Sequence, residues 1–347
     1  MEYYERLNKI LENTLRDKNR AKELTFLKET VKLAKIIIDN TPNIVKESFK
    51  EYVSLNDSLN IVGDFLYNLN DNYSSMYFNI LQEKNNYNGK EEPSVEFVPF
   101  EGTDLSEVRS DGKVIISYQN NINDIYTTVH EITHKFSQLK YQNSTIKSFL
   151  GETSTIAMEF LMEEYLLNNT SYDKDEIKIR KQNRFIDTYS DASAVLFEYT
   201  LLELYKKNGI ITKDILLNYL NSLDKNSKEY EILCVKGEDY LNEIVNKGNL
   251  QFPIRQRYVI GTVLACDFNK KKEESIVKKR QLSYLINILG HTDLTFEDDI
   301  RIVNELDISI FKNNSFYITD ESLQRITNNY RTEINNVLSK CNIKNKI

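Results

Sequence analysis

The chain of 347 residues holds three cysteines, four prolines, ten glycines and three histidines. Cys234, Cys266 and Cys341 are odd in number, far apart and form no CxxC pair. No disulfide framework is therefore expected, and a reducing compartment follows. So few prolines and glycines leave long helices with little to interrupt them. No run of about 18 apolar residues occurs, which excludes an ordinary membrane-spanning helix. The first residues, Met1-Glu2-Tyr3-Tyr4-Glu5-Arg6, are charged and carry no apolar core, so no signal peptide is expected. Together these features predict a cytoplasmic protein. The net charge of −7 counts against a nucleic-acid partner, because phosphate binding wants clustered positive charge. Hydrophobic residues at 40% and charged residues at 28% are the balance of a globular chain, not a disordered one.

Apolar periodicity predicts a mostly helical body. Leu7, Ile10, Leu11 and Leu15 begin a stripe that Leu24, Leu27, Val31 and Ile36 to Ile38 continue, up to Asn40-Thr41-Pro42. A second helical stretch is expected over 44–84, with a break near Asn56-Asp57. Residues 85–118 read differently: a turn at 85–89, a short strand between Pro93 and Pro99, a turn at Asp111-Gly112, and a β-branched strand over 113–118. Helices are expected again from 122, over 151–168, 183–207, 213–223, 228–246 and 252–268, then in a tail over 271–345. No internal repeat or flexible linker separates these pieces. The fold class predicted is mainly α with a small β-sheet upstream of one central helix. Its division is an N-terminal helical region over 1–88 and a catalytic region over 89–347, forming one continuous unit.

Two of the three histidines fall in His130-Glu131-Ile132-Thr133-His134. On a helix, positions i and i+4 share a face, so both imidazoles can grip one ion while the intervening glutamate reaches a water beside it. The bland alternative is an exposed helical turn with incidental histidines. A catalytic zinc site takes three protein ligands and keeps one open position. Glu152, 18 residues after His134, opens the next helical stretch and is the candidate third ligand. Alone it could equally be a helix N-terminal acid favoured by the dipole. Glu159, two turns further along, could accept a hydrogen bond from the second nitrogen of a histidine. Glu163 and Glu164 are expected to face solvent. His291, in Leu-Gly-His-Thr-Asp, is expected to be a turn or helix-end residue.

The segment 114–136, VIISYQNNINDIYTTVHEITHKF, resembles the strand, loop and active helix of the oligoendopeptidase F and thimet oligopeptidase family of zinc metallopeptidases. Residues 151–161, GETSTIAMEFL, are similar to that family's next helix, and a weaker match lies at Arg257 to Thr262. The resemblance implies a zincin-like helical peptidase fold and one Zn²⁺ held by His130, His134 and Glu152. It also implies Glu131 as general base, Tyr258 as the oxyanion donor, and a peptide substrate. The chain departs from the family at Thr133, where glycine is usual, and at Ser137, where a further histidine is usual. The stretch before Tyr258 also lacks the family's histidine and extra tyrosines. It reads as a short, divergent member.

Arg255 lies three residues before Tyr258, on one helical face with it, and could anchor the oxyanion or a peptide carboxylate. A solvated basic turn is the competing reading of Arg255-Gln256-Arg257. If the 113–118 strand were the sheet's edge, an extended peptide could pair with it at Ser117 and Tyr118. The function expected is a zinc-dependent endopeptidase for short or unstructured peptides, with neither nucleic acid nor membrane as partner. Two alternatives remain: a catalytically impaired homologue that binds zinc and a peptide or partner, and a toxin-like protease using an Arg-x-x-Tyr pair.

Overall fold

The computed structural model describes residues 2–18, 21–42, 44–102, 106–109, 111–138, 151–270 and 318–340. Eleven helices and five strands occur among them. The chain opens with α1 (Glu2–Arg16) and α2 (Ala21–Asn40), which bury the predicted stripe at Leu7, Ile10, Leu11, Leu27 and Ile36 to Ile38. Residues 44–53 are not helical, contrary to the expectation for 44–84. They run extended along a later helix, whose side chains satisfy their backbone. The expected break at Asn56-Asp57 is in fact a helix start. Ser54 caps α3 (Leu55–Leu69) by accepting the Asp57 N–H and donating its own hydroxyl to the Asp57 carboxylate. Asn70 then both ends α3 and caps α4 (Asp71–Gln82).

The turn at 85–89 is the tip of a hairpin, β1 (Lys84–Tyr87) and β2 (Lys90–Pro93). Asn88 and Gly89, both with positive φ, supply the backbone that such a tip requires. These two strands have too little apolar alternation to announce themselves in the sequence. A second sheet has the order β3–β5–β4, formed by β3 (Val95–Pro99), β4 (Glu107–Val108) and β5 (Val114–Tyr118). β3 is parallel to β5 and β4 antiparallel to it. The strand over 113–118 is therefore central and not an edge. Its Ser117 N–H is taken by the Ser106 hydroxyl, and its Tyr118 carbonyl by the Phe100 N–H. Peptide pairing through an open edge at Ser117 and Tyr118 is thereby corrected: both backbone groups are already used.

Beyond β5 lie α5 (Asn123–Gln138), α6 (Gly151–Asn169), α7 (Lys174–Asn208), α8 (Lys213–Ser222), α9 (Lys228–Lys247), α10 (Phe252–Lys270) and α11 (Asp320–Lys340). α7 begins nine residues earlier than expected, because Asp173 caps it and the polar run that follows shows no stripe. α6 is the central helix, packed between α5 and α10, and every residue from Glu152 to Phe160 is buried. A helix covered on all sides has no polar face to reveal its period. One cluster of buried side chains runs from Leu7 to Val337, across residue 88. No helix among the described residues is long and apolar enough to cross a membrane. Cys234 is exposed and Cys266 buried. His291 and Cys341 lie outside the described residues.

Candidate metal centre

The site is built on a rigid strand-to-helix connection. After β5 the chain turns through Asn120, which has a φ of 56°, and the buried Asp124 accepts the backbone N–H groups of Gln119 and Asn121. That side chain fixes where α5 starts, and hence where its next two turns point. Further along α5, the amine of Lys135 donates to the Gly112 carbonyl at 2.6 Å, tying the helix to the turn that leads into β5. Thr133 fits fully buried with its hydroxyl returned to the Val129 carbonyl. The one-turn spacing brings the rings of His130 and His134 to 4.9 Å between centroids.

Glu152, in the first turn of α6, meets both rings. Its Oε2 lies 3.2 Å from His130 Nε2 and 3.6 Å from His134 Nε2. One donor atom from each of the three residues falls within 4.8 Å of the others. Two imidazole nitrogens and one carboxylate oxygen are the donor set that zinc takes in catalytic sites. The other nitrogen of His130, Nδ1, sits 2.7 Å from Glu159 Oε1, which leaves Nε2 facing the centre. The donors present thus fit a zinc ion.

Charge inside the centre is coupled. Burial resists charging His130, but hydrogen bonds to Glu152 and Glu159 overcome it and push its pKa up to about 10. Burial likewise opposes charge on Glu152, yet His134 and the bonds from both histidines hold its carboxyl well below the usual carboxylate range. Glu159 is also lowered, because Arg184 and Arg180 outweigh its burial. Neither arginine was singled out from the sequence. Arg180 Nη2 is 3.0 Å from Glu159 Oε2, Arg184 Nε is 3.1 Å from the same oxygen, and Arg184 Nη2 meets Oε1. Within KIRKQNR, at 178–184, they look like a solvated basic face. Their one signal was the i, i+4 spacing, and Arg180 lay upstream of the helix expected from 183.

A cavity of about 620 Å³ opens beside His130. Glu131 and Tyr258 line it together with Arg180, Arg184 and, from the extended 44–53 segment, Phe49. That segment is held by α7: Asn183 exchanges two bonds with the Glu47 backbone, and Glu176 accepts the Lys50 N–H. Tyr258 reaches the cavity because α10 approaches α6 very closely at Gly261. A Cβ there would stand 2.9 Å from Glu152 Cβ and 3.0 Å from the Glu152 carbonyl carbon. The phenol of Tyr258 is raised above its ordinary value by the charge of Glu152 and by burial, so it stays a protonated donor.

Arg255 is not brought to this cavity. Its guanidinium pairs with Asp191 at 3.2 Å and with Glu243 at 2.7 Å, and it is not among the lining residues. It is neither the expected oxyanion anchor nor a solvated turn residue: two carboxylates consume its donors. The Arg-x-x-Tyr reading loses its arginine on the same ground. Glu163 does not face open solvent either, since Lys181 pairs with it at 2.9 Å, whereas Glu164 is exposed.

No protein-family model matches the chain. It is 26% identical over 125 residues to oligopeptidase PepF of Bacillus subtilis, covering 32% of this chain and 18% of that protein. It is 23% identical over 354 residues to reticulocyte-binding protein 2 of Plasmodium vivax, covering 97% of this chain and 11% of that one. The chain thus spans under a fifth of the length of either curated relative. Among solved structures it is similar to a "putative peptidase" from Chlamydophila abortus, with a TM-score of 0.55 and 16% identity. That likeness covers 95% of this chain and 57% of the other. At that identity the likeness shows a shared, mainly helical fold with a small sheet.

Proposed function

We propose that the chain is a zinc-dependent endopeptidase acting on short or unstructured peptides. The observation that carries this proposal is the convergence of His130, His134 and Glu152 within 4.8 Å, with Glu131 beside them on a cavity wall. The similarity to PepF and to a peptidase fold supports it. The reticulocyte-binding relative contributes no chemistry at named residues. In this proposal the regions before and after residue 88 act as one unit.

His130, His134 and Glu152 would hold the ion, which supplies Lewis acidity toward the scissile carbonyl and lowers the pKa of a water from 15.7 to about 7. Glu159 keeps His130 Nδ1 occupied, so the ring presents Nε2 and cannot rotate away. Glu131 accepts a proton as water oxygen bonds to the carbonyl carbon. It then delivers that proton to the amine nitrogen as the carbon–nitrogen bond breaks. Tyr258 donates its hydroxyl hydrogen to the oxygen that becomes negative in between. The substrate approaches through the cavity bounded by α5, α7 and the 44–53 segment.

A quenched fluorescent peptide tests this. Wild type should turn it over, and Glu131→Gln should retain zinc while losing about 10²–10⁴-fold in rate. Tyr258→Phe should lose about 10²–10³-fold in kcat with zinc unchanged. Equal background rates in wild type, Glu131→Gln and chelated protein would reject the peptidase. Zinc retained without turnover would instead identify a zinc-containing binding protein. The depleted stretch before Tyr258, with one tyrosine and no histidine over 248–258, favours that second reading.

A further inference from the structure

We infer that Arg180 and Arg184 are positioning residues for the metal centre, acting through Glu159 on His130. This rests on the zinc proposal above. Glu159 is 2% exposed and faces three cationic or proton-donating partners at once: His130 on one oxygen, Arg180 on the other, and Arg184 across both. A buried carboxylate needs its lone pairs satisfied, and two guanidiniums more than neutralise a single charge. The surplus is informative. One arginine would suffice to bury Glu159, and a merely structural pair would not need its second oxygen aimed at a histidine.

The geometry of the pair is that of a clamp. Arg184 takes Glu159 with two nitrogens, Nε and Nη2, which fixes the plane of the carboxylate as well as its place. Arg180 comes from one turn earlier on α7, and its guanidinium stacks 4.8 Å from the ring centre of Tyr126 on α5. Three helices are therefore pinned around one carboxylate: α5 by His130 and Tyr126, α6 by Glu159, and α7 by both arginines. With the carboxylate plane fixed, the His130 ring is held with Nε2 toward Glu152. Glu131, Glu152 and Glu159 add three negative charges around the centre, and the arginines offset two of them. Both arginines also line the cavity, so the clamp sits at the site and not behind it.

Zinc affinity, read by competition with a chromophoric chelator, separates positioning from packing. Arg184→Lys keeps the charge but loses the fork, and should weaken zinc about 10–100-fold while the far-ultraviolet spectrum is retained. Arg180→Met should weaken it in the same direction. In a Glu159→Gln background, which should itself be weaker by a similar factor, Arg184→Lys should add nothing further, because its effect passes through Glu159. Arg255→Met, which disrupts a comparable ion pair elsewhere, should leave zinc affinity as in wild type. Wild-type affinity in Arg184→Lys and Arg180→Met, or fully additive losses with Glu159→Gln, would overturn the clamp and spare the zinc proposal. Zinc bound by none of the proteins, wild type included, would overturn both.

Discussion

Two ionic networks hang on α7, one buried and one partly buried, and they differ in what they leave over. One gathers Glu159, Arg180 and Arg184 and ends on His130, whose second nitrogen faces Glu152 and His134. The other gathers Arg255, Asp191 and Glu243, with Glu198 nearby accepting the backbone N–H groups of Gln251 and Phe252 at the start of α10. In the second network the donors named here meet acceptors and the ensemble closes on itself. In the first, three donor atoms converge on one point. Buried charge alone does not mark a functional site; convergent ligand atoms do.

Breaking each network should give different losses. The largest effect is expected at the ligands: His134→Ala or Glu152→Gln should abolish stoichiometric zinc by metal analysis, and with it peptide turnover. Arg255→Met should instead cost about 2 kcal/mol in denaturant unfolding, since Asp191 and Glu243 lose a partly buried cation, while zinc content stays unchanged. Gly261→Ala sharpens the contrast from the far side of α6. The added methyl collides with Glu152, so it should cost about 1–3 kcal/mol and weaken zinc binding as well. A pH dependence carried by the second network adds a further contrast. Burial, only partly offset by the N–H groups of Gln251 and Phe252, raises Glu198 from 4.5 to about 7. The folded state therefore holds a proton that the unfolded chain releases between these values. Stability from this group is full below pH 4.5 and is lost as pH rises through 7. Unfolding midpoints of wild type relative to Glu198→Gln should fall over that window and level off above it.

The histidine and glutamate end of the first network was legible in the sequence and its arginines were not; of the second, Arg255 alone drew a reading, and its direction differs from that reading. His130, Glu131 and His134 share one helix, where spacing alone dictates geometry. Glu152 and Glu159 follow on the next helix at a two-turn separation. The arginines that hold Glu159 come from a third helix whose polar opening gives no apolar stripe, so nothing local ties them to the site. Arg255 shows the converse. Its spacing from Tyr258 is right, but its direction is set by Asp191 and Glu243, which lie far away in sequence. The sheet teaches the same lesson: β5 is recognisable as a strand from its β-branched residues, while its central place depends on a two-residue partner at Glu107–Val108. The extended 44–53 segment escaped notice because its backbone is satisfied by side chains of α7, a tertiary fact that overrides local helical propensity.

The most direct test is a zinc titration of the chelated, purified chain, following hydrolysis of a quenched peptide. Activity should rise linearly and saturate at one zinc per chain, with no rise in a parallel titration of Glu131→Gln. Hydrolysis that survives chelation, or that stays at background as zinc is added, would contradict a zinc peptidase centred on His130, His134 and Glu152.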